Sequence, residues 1–488
     1  MAAAAAGEDD GILMHAAEAS DLNADAVVAA VDELWRRRIV REFRDGYDFS
    51  HDLLRETAYA GISPPRRWLL HRRIAQGLEL LHTGNTDGVA VQLAEQYERA
   101  GRPERAVAYY QRAADVAAGR FAHAEEIRLH EKALSIIAAM PAGRDRDCRE
   151  LVVLEAMAAP LNTRYGYSSP ALQQALERTI ALAESLGRTD SRVTGLAALA
   201  GALWVQGRTA DSHRTATRAL DLADPESELA GQAHFIAGCS AFSLGMPAGG
   251  LRHFELAAKL ASGAVWLSFG TRPDVHGKAF ASHAHWLLGH QDEALAACRE
   301  AITLARAIDH PYSQALALAY ASITHQIRRD LPELRNMVDE LRRLCDRYDF
   351  AYYREWALIL DGWSREGASG AGLVRRGIGD LKSEGAFARM PYWLSLLADL
   401  SARDGQPDAA RATLDAALAA GRAHHDMWWL PELMRMRAAY DDEQAGTRLL
   451  SAAQMASEHG SVAVLRRCER DLSARGVHHP APGVPPTV

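Results

Sequence analysis

Small and aromatic apolar residues recur at helical spacing along most of this chain, and glycine interrupts them at regular places. In "QLAEQYERAGRPERAVAYYQRAA", beginning at Gln92, residues Leu93, Ala94, Tyr97 and Ala100 fall on one helical face. Gly101-Arg102-Pro103 breaks that helix, because glycine tolerates the turn and proline suits the first turn of the next helix. Ala106, Tyr110 and Ala113 then line one face of a second helix. Small residues let two antiparallel helices approach, and the aromatic rings fill the space between them. Such a hairpin cannot bury its apolar face alone and needs copies of itself.

The copies are present. "GLAALAGALWVQGRTADSHRTATRALDLA" turns at Gly207, "GQAHFIAGCSAFSLGMPAGGLRHFELAAKLA" at Gly245, and "GKAFASHAHWLLGHQDEALAACREAITLA" at Gly289. "YWLSLLADLSARDGQPDAARATLDAALAAG" turns at Gly405. Each keeps the same offsets of small and apolar residues from its glycine. These segments resemble tetratricopeptide repeats, whose period is about 34 residues. Degenerate copies are expected around residues 120–140, 315–345 and 350–385. The predicted fold class is therefore all-α, a tetratricopeptide-like α-α superhelix over residues 89–475.

The region before Val89 has another pattern. "ADAVVAAVDELWRRRIV" predicts an amphipathic helix running into a short strand at Ile39-Val40. Asp45-Gly46 predicts a hairpin turn between Phe43 and Tyr47. "HDLLRETAYAGI" and "PPRRWLLHRRIAQGLELL" predict two more helices, the second opened by Pro64-Pro65. Helix, β-wing and helices suggest a small winged-helix module over residues 11–82, with "HTGNTDG" (His82 to Gly88) as its boundary. The tail from residue 476 to 488, rich in proline and glycine, is expected to be disordered.

"LWRRRIVREFRDGYDFSHDLLRETAY" followed by "RRWLLHRRIAQGLE" resembles the winged-helix segment behind the ATPase core of bacterial STAND-type (signal-transduction ATPase) regulators. "HWLLGHQDEALAACREAITLARAIDHPYSQALAL" and "MWWLPELMRMRAAY" are similar to the C-terminal repeats of the same proteins. These families include large transcriptional activators of the SARP and LuxR types, and class III nucleotide cyclases joined to an ATPase and repeats. The resemblance implies an effector domain and a P-loop ATPase upstream. It makes this chain the counterpart of the C-terminal half of such a regulator.

Composition narrows the function. The chain of 488 residues exceeds one ordinary core, and 48% hydrophobic with 24% charged residues suits a folded protein. A net charge of −8 argues against a surface devoted to nucleic acid. The start, "MAAAAAGEDD", lacks the basic region of a signal peptide, and no apolar run is long enough to span a bilayer. The five cysteines are scattered without a C-x-x-C pair, so neither a disulfide framework nor a zinc site is expected. A reduced, cytoplasmic compartment fits these features.

Candidate chemistry is sparse. "RPDVHGKA", Arg272 to Ala279, lacks the first glycine and the hydroxyl of a phosphate-binding P-loop and is read as a loop. "GASGAG", Gly367 to Gly372, has no preceding strand and is read as a flexible connector. Ser364 in "GWSREG" lacks the spacing of a nucleophile elbow. His283 and His285 point to different helix faces, so they do not share a metal. Glu125-Glu126 and Asp441-Asp442 suit solvated helix faces. No catalytic residue, metal site or cofactor is predicted, and the expectation is a non-enzyme.

One pattern exceeds this background. Trp204, Phe242 and Trp286 each stand three residues before a turn glycine, and Phe235 and His283 share their helical face. In the repeats these segments resemble, that offset tends to face the concave groove. The five residues are thus candidates for groove binding, as aromatic anchors of a recognition surface, or else they pack between neighbouring hairpins. The expected function is a protein-interaction and sensor region that binds a protein partner, or its own upstream ATPase or effector domain, and controls a linked ATPase. The alternative is a DNA-binding transcription regulator, in which basic runs of the winged helix meet phosphates.

Overall fold

The computed structural model describes residues 22–43, 46–261, 271–365, 368–441 and 443–477. The chain is all-α apart from one β-hairpin, and it divides into two compact units, one ending at Val153 and the other beginning at Leu154.

In the first unit, α1 (Ala24–Arg36) is capped by Asn23, whose side chain accepts from the Ala26 N–H at 2.8 Å. β1 (Val40–Phe43) and β2 (Gly46–Phe49) pair antiparallel, with Val40 opposite Phe49 and Phe43 opposite Gly46. Residue 45 of the expected turn lies outside the described residues. Then come α2 (Asp52–Ala60), α3 (Pro64–Leu81), α4 (Ala90–Arg99), α5 (Pro103–Ala118), α6 (His123–Ala138) and the start of α7 (Arg144–Tyr165). Ala75 and Leu78 of α3 share a core with Leu93 and Tyr97 of α4 and Ala106 of α5, so the stretch His82–Gly88 joins packed neighbours. The rings of Tyr97 and Tyr109 stack 5.7 Å apart. Buried alanines at 94, 106 and 114 give them room.

The second unit continues through α8 (Pro170–Leu186), α9 (Thr189–Val205), α10 (Thr209–Leu222), α11 (Glu228–Ser243), α12 (Pro247–Leu260), α13 (Pro273–Leu288) and α14 (Gln291–Ala307). It goes on with α15 (Pro311–Arg328), α16 (Leu331–Tyr348), α17 (Ala351–Ser364), α18 (Ala368–Ser383), α19 (Met390–Arg403) and α20 (Pro407–Ala423). It ends with α21 (Leu430–Ala438), α22 (Ala445–Glu458) and α23 (Val462–Ala474). The degenerate stretches 315–345 and 350–385 form hairpins, α15 with α16 and α17 with α18, whereas 120–140 holds one helix, α6, packed on α5. The turn glycines Gly101, Gly207, Gly245, Gly289 and Gly405 all take left-handed φ, between 66° and 88°.

The two helices of a hairpin differ in burial. α16 buries Leu334, Val338, Leu341 and Cys345, one stripe at helical spacing, and so forms an outer layer. α15 is buried continuously from Ala315 to Ile327, on every face. α11 and α13 are likewise surrounded, so the first helices are an inner layer.

Two expected loops are helical. Arg272 is the N-cap of α13 and Pro273 opens it, so the P-loop-like stretch begins a repeat helix. The glycine-rich stretch is helical from Ala368 onward. A Cβ on Gly362 would lie 2.7 Å from the Gly370 carbonyl oxygen, so these glycines serve a close approach of α17 and α18.

What covers the inner layer comes from the far end of the same unit. Val205 ends α9, and its carbonyl accepts from the N–H groups of Phe387 (2.7 Å) and Ala388 (2.9 Å). Ser243 ends α11, and its carbonyl accepts from the Met427 N–H at 2.6 Å. His424 stacks on Phe387 and donates through Nδ1 to the Gly207 carbonyl at 3.2 Å. Helix C-termini leave carbonyls without intrahelical partners, and here loops returning from later repeats supply the missing donors. No helix among the described residues is long and apolar enough to cross a membrane.

Candidate functional site

The returning loops deliver one charged side chain into the inner layer. Arg389 precedes α19, with a left-handed φ of 63°, a conformation that costs a non-glycine residue about 1–2 kcal/mol. It is 1% exposed. Its guanidinium lies 4.7 Å from the ring of Phe280, 5.1 Å from Tyr320, 5.3 Å from Trp428 and 5.6 Å from Trp356. Phe242 and Trp204 follow at 5.9 and 6.0 Å. Rings from α9, α11, α13, α15 and α17 thus converge on one cation. Guanidinium is more weakly hydrated than an ammonium, and aromatic faces attract it. Nε, Nη1 and Nη2 make no hydrogen bond among the described residues.

The acidic group beside Arg389 is Asp426, 2% exposed. Its Oδ2 accepts from the Arg389 main-chain N–H at 2.8 Å. Burial pushes its carboxyl up to about 7, against the opposing pull of the Arg389 charge and main-chain N–H. The Ser243 hydroxyl in turn accepts from Trp204 Nε1 at 2.8 Å. Trp204 and Ser243 thus join α9 to α11, and Asp426 and Arg389 join the two returning loops.

All five residues expected at a groove are buried. Trp204 and Phe242 face the Arg389 guanidinium. Phe235 lies against His276 at 4.3 Å and Phe254 at 6.0 Å. His283 stacks on Tyr320 at 5.2 Å, and its Nε2 donates to the Tyr320 carbonyl at 3.0 Å. Burial holds the His283 imidazole well below its ordinary range, and the Arg389 charge adds to this, so the ring is neutral. Trp286 sits apart, under the Arg467 guanidinium at 4.8 Å and 6.0 Å from Trp429. The structure thus joins four of the five into one aromatic core and places Trp286 at its edge, beside a cavity of about 880 Å³.

The chain's own loop residues Arg389, Asp426 and Trp428 escaped the sequence reading. Their one signal was "FARMPYW" matched by "HDMWWLP", two turns with a charged residue just ahead of Met and a pair of aromatics. No group of three or more His, Cys, Asp or Glu able to hold a metal occurs among the described residues. In the first unit, Arg36 pairs with Asp32, and Arg37 with Glu33 at 2.7 Å, so part of the basic run is internally neutralised.

A family model of the tetratricopeptide repeat matches residues 279–308, which hold most of α13 and all of α14. An uncharacterised protein of Rhizobium meliloti (strain 1021), R02095, is 25% identical over 514 aligned positions, covering 98% of this chain. The chain spans about half the length of that curated relative, 48%. A Rap protein solved with competence and sporulation factor superposes with a TM-score of 0.47 at 12% identity, over 69% of this chain and 98% of that one. A STAND protein with a tetratricopeptide repeat sensor from Pyrococcus horikoshii gives 0.35 at 15% identity, over 80% and 62%. The fold is that of a tetratricopeptide-type superhelix.

Proposed function

We propose that this chain is the sensor and protein-interaction region of a larger regulator, in which the repeats bind a protein partner and the N-terminal module seats a linked ATPase domain. The observation that supports this best is the apolar surface of that module. Trp35 is 49% exposed, Leu53 72% and Trp68 56%, and Val28, Leu54 and Leu69 are exposed beside them in sequence. Large hydrophobics concentrated on one short segment mark an interface, since each is worth about 1.5–3 kcal/mol when buried. The occupant proposed is a domain of the same polypeptide, because the relative R02095 has as much chain again outside the matched region. The recognition role of Trp204, Phe235, Phe242 and His283 belongs to the same reading, in which a partner would reach these buried rings only when the returning loops part, while Trp286 would be reached from the cavity beside Arg467.

The test is to mix this chain with the part of R02095 outside the matched region and measure both association and ATP hydrolysis. Association that changes turnover, and that Leu53→Ser with Trp68→Ser abolishes, is the expected result. No association would overturn the reading. A salt-sensitive gel shift of the chain on duplex DNA would favour the winged-helix alternative instead.

A further inference from the structure

The described surface holds an arginine-lined trough at the edge of the inner layer. A cavity of about 880 Å³ lies between the ends of α13 and α15, the start of α14, and α23. Five arginines line it (Arg328, Arg329, Arg466, Arg467 and Arg470) against one carboxylate, Glu469. An adjoining cavity of about 660 Å³ shares Arg329, Arg467 and Arg470 with it and runs on toward Tyr440 and Arg475. In a chain of net charge −8 this is a local reversal of sign.

Not all of this charge is free. Arg467 donates to Glu432 at 2.7 Å and to the Ile327 carbonyl at 3.1 Å, while its plane covers Trp286. Arg435 forks onto both oxygens of Glu432 and also binds Asp471. Arg329 reaches Asp399 at 3.3 Å, and Arg328 donates to the Gln291 side chain at 3.1 Å. Arg466 and Arg470 remain. Both are exposed, they stand one turn apart on α23, and neither pairs with a carboxylate among the described residues. Among the described residues, the hydrogen bond of the Arg470 side chain is to the Arg466 carbonyl, at 3.4 Å. The internally paired arginines thus form a rigid wall, with two unpaired guanidinium groups at its lip.

We propose that this trough binds an extended acidic segment of a protein partner. Carboxylates match guanidinium forks in pairs, which accounts for the charge. Two joined cavities sharing three arginines make the site longer than a single anion needs, and this points to a polypeptide carrying several carboxylates. The proposal rests on the interaction reading above and supplies the chemistry of the partner. It uses the repeats alone, so it fails separately from the seating of a linked domain on the N-terminal module.

The test is fluorescence anisotropy with a labelled peptide of alternating glutamate and glycine, added to the whole chain. Binding at low salt that weakens as salt is raised is expected, with affinity lowered about tenfold or more by Arg466→Glu with Arg470→Glu. Both side chains are exposed, so the melting curve of this variant should match the parent. Arg375→Glu, an exposed arginine on α18, should leave binding unchanged. Equal binding of the glutamine version of the peptide, or unaltered binding to the double variant, overturns the proposal. Tripolyphosphate saturating the site at lower concentration than the peptide also overturns it, in favour of a phosphate ligand.

Discussion

The main-chain N–H of Arg389 donates to Asp426 Oδ2 at 2.8 Å, from a residue whose own guanidinium is wrapped by aromatic rings. The Asp426 carboxyl, pushed up to about 7 by burial, binds a proton in the folded state that the unfolded chain has already released. Stability from this group is therefore full below the ordinary aspartate range and is lost as pH rises toward 7, at up to about 1.4 kcal/mol per pH unit. Glu355, also raised to about 7 by burial with Asp380 adding, acts over a similar window. Asp426→Asn keeps an acceptor for the Arg389 N–H and should flatten part of this slope. Urea midpoints measured from pH 4.5 to 8 check it, and a slope identical to the parent's would refute the assignment.

Glu432 predicts the opposite behaviour. Burial alone would raise it, but Arg435 and Arg467 together hold it at about 2. Its stabilisation is full above the ordinary glutamate range and disappears as pH falls toward 2. Glu432→Ala leaves two half-buried guanidinium groups short of a partner and should cost about 3–5 kcal/mol at pH 7. Much of that difference from the parent should vanish by about pH 3, which paired denaturation curves at the two pH values would reveal.

Two turn glycines with nearly the same φ separate conformation from contact. A Cβ on Gly405 (φ 69°) meets nothing within 4 Å, so Gly405→Ala should cost about 1–2 kcal/mol, from the left-handed backbone alone. A Cβ on Gly207 (φ 75°) would lie 2.6 Å from His424 Nδ1 and 2.8 Å from the Phe387 Cβ. Gly207→Ala must therefore also push away the returning loops, and its melting temperature should fall by clearly more. Equal losses would mean that the loops do not press on this turn.

Trp286→Ala removes a buried indole held between Arg467 and Trp429, and the expected loss is about 3–5 kcal/mol. Melting curves and partner capture should be measured on the same preparation. Unchanged stability with lost capture would instead mark Trp286 as an anchor for the partner.

The hairpins were legible because they are local. Ala106 and Tyr110 reveal a helix face within one turn, and Gly207, Gly245 and Gly289 mark the reversals that the left-handed φ demands. The buried cation was not legible, because its environment is assembled from far apart. Arg389 and Asp426 stand 37 positions apart, and Thr209 donates to the His424 carbonyl across 215. No periodicity reports such pairings. Gly370 misled for another reason: glycine that permits helices to touch has the same composition as glycine that keeps a linker loose.

The carbonyls of Val205 and Ser243, met by residues 387, 388 and 427, bear on how the second unit comes to exist. An open solenoid can gain one repeat at a time as the chain emerges from the ribosome. Here the early repeats keep bare helix ends and a bare aromatic wall until Trp428 has been synthesised. The second unit should therefore mature late and in a single cooperative event, and a truncation before residue 427 should strand its first half as sticky, half-formed helices.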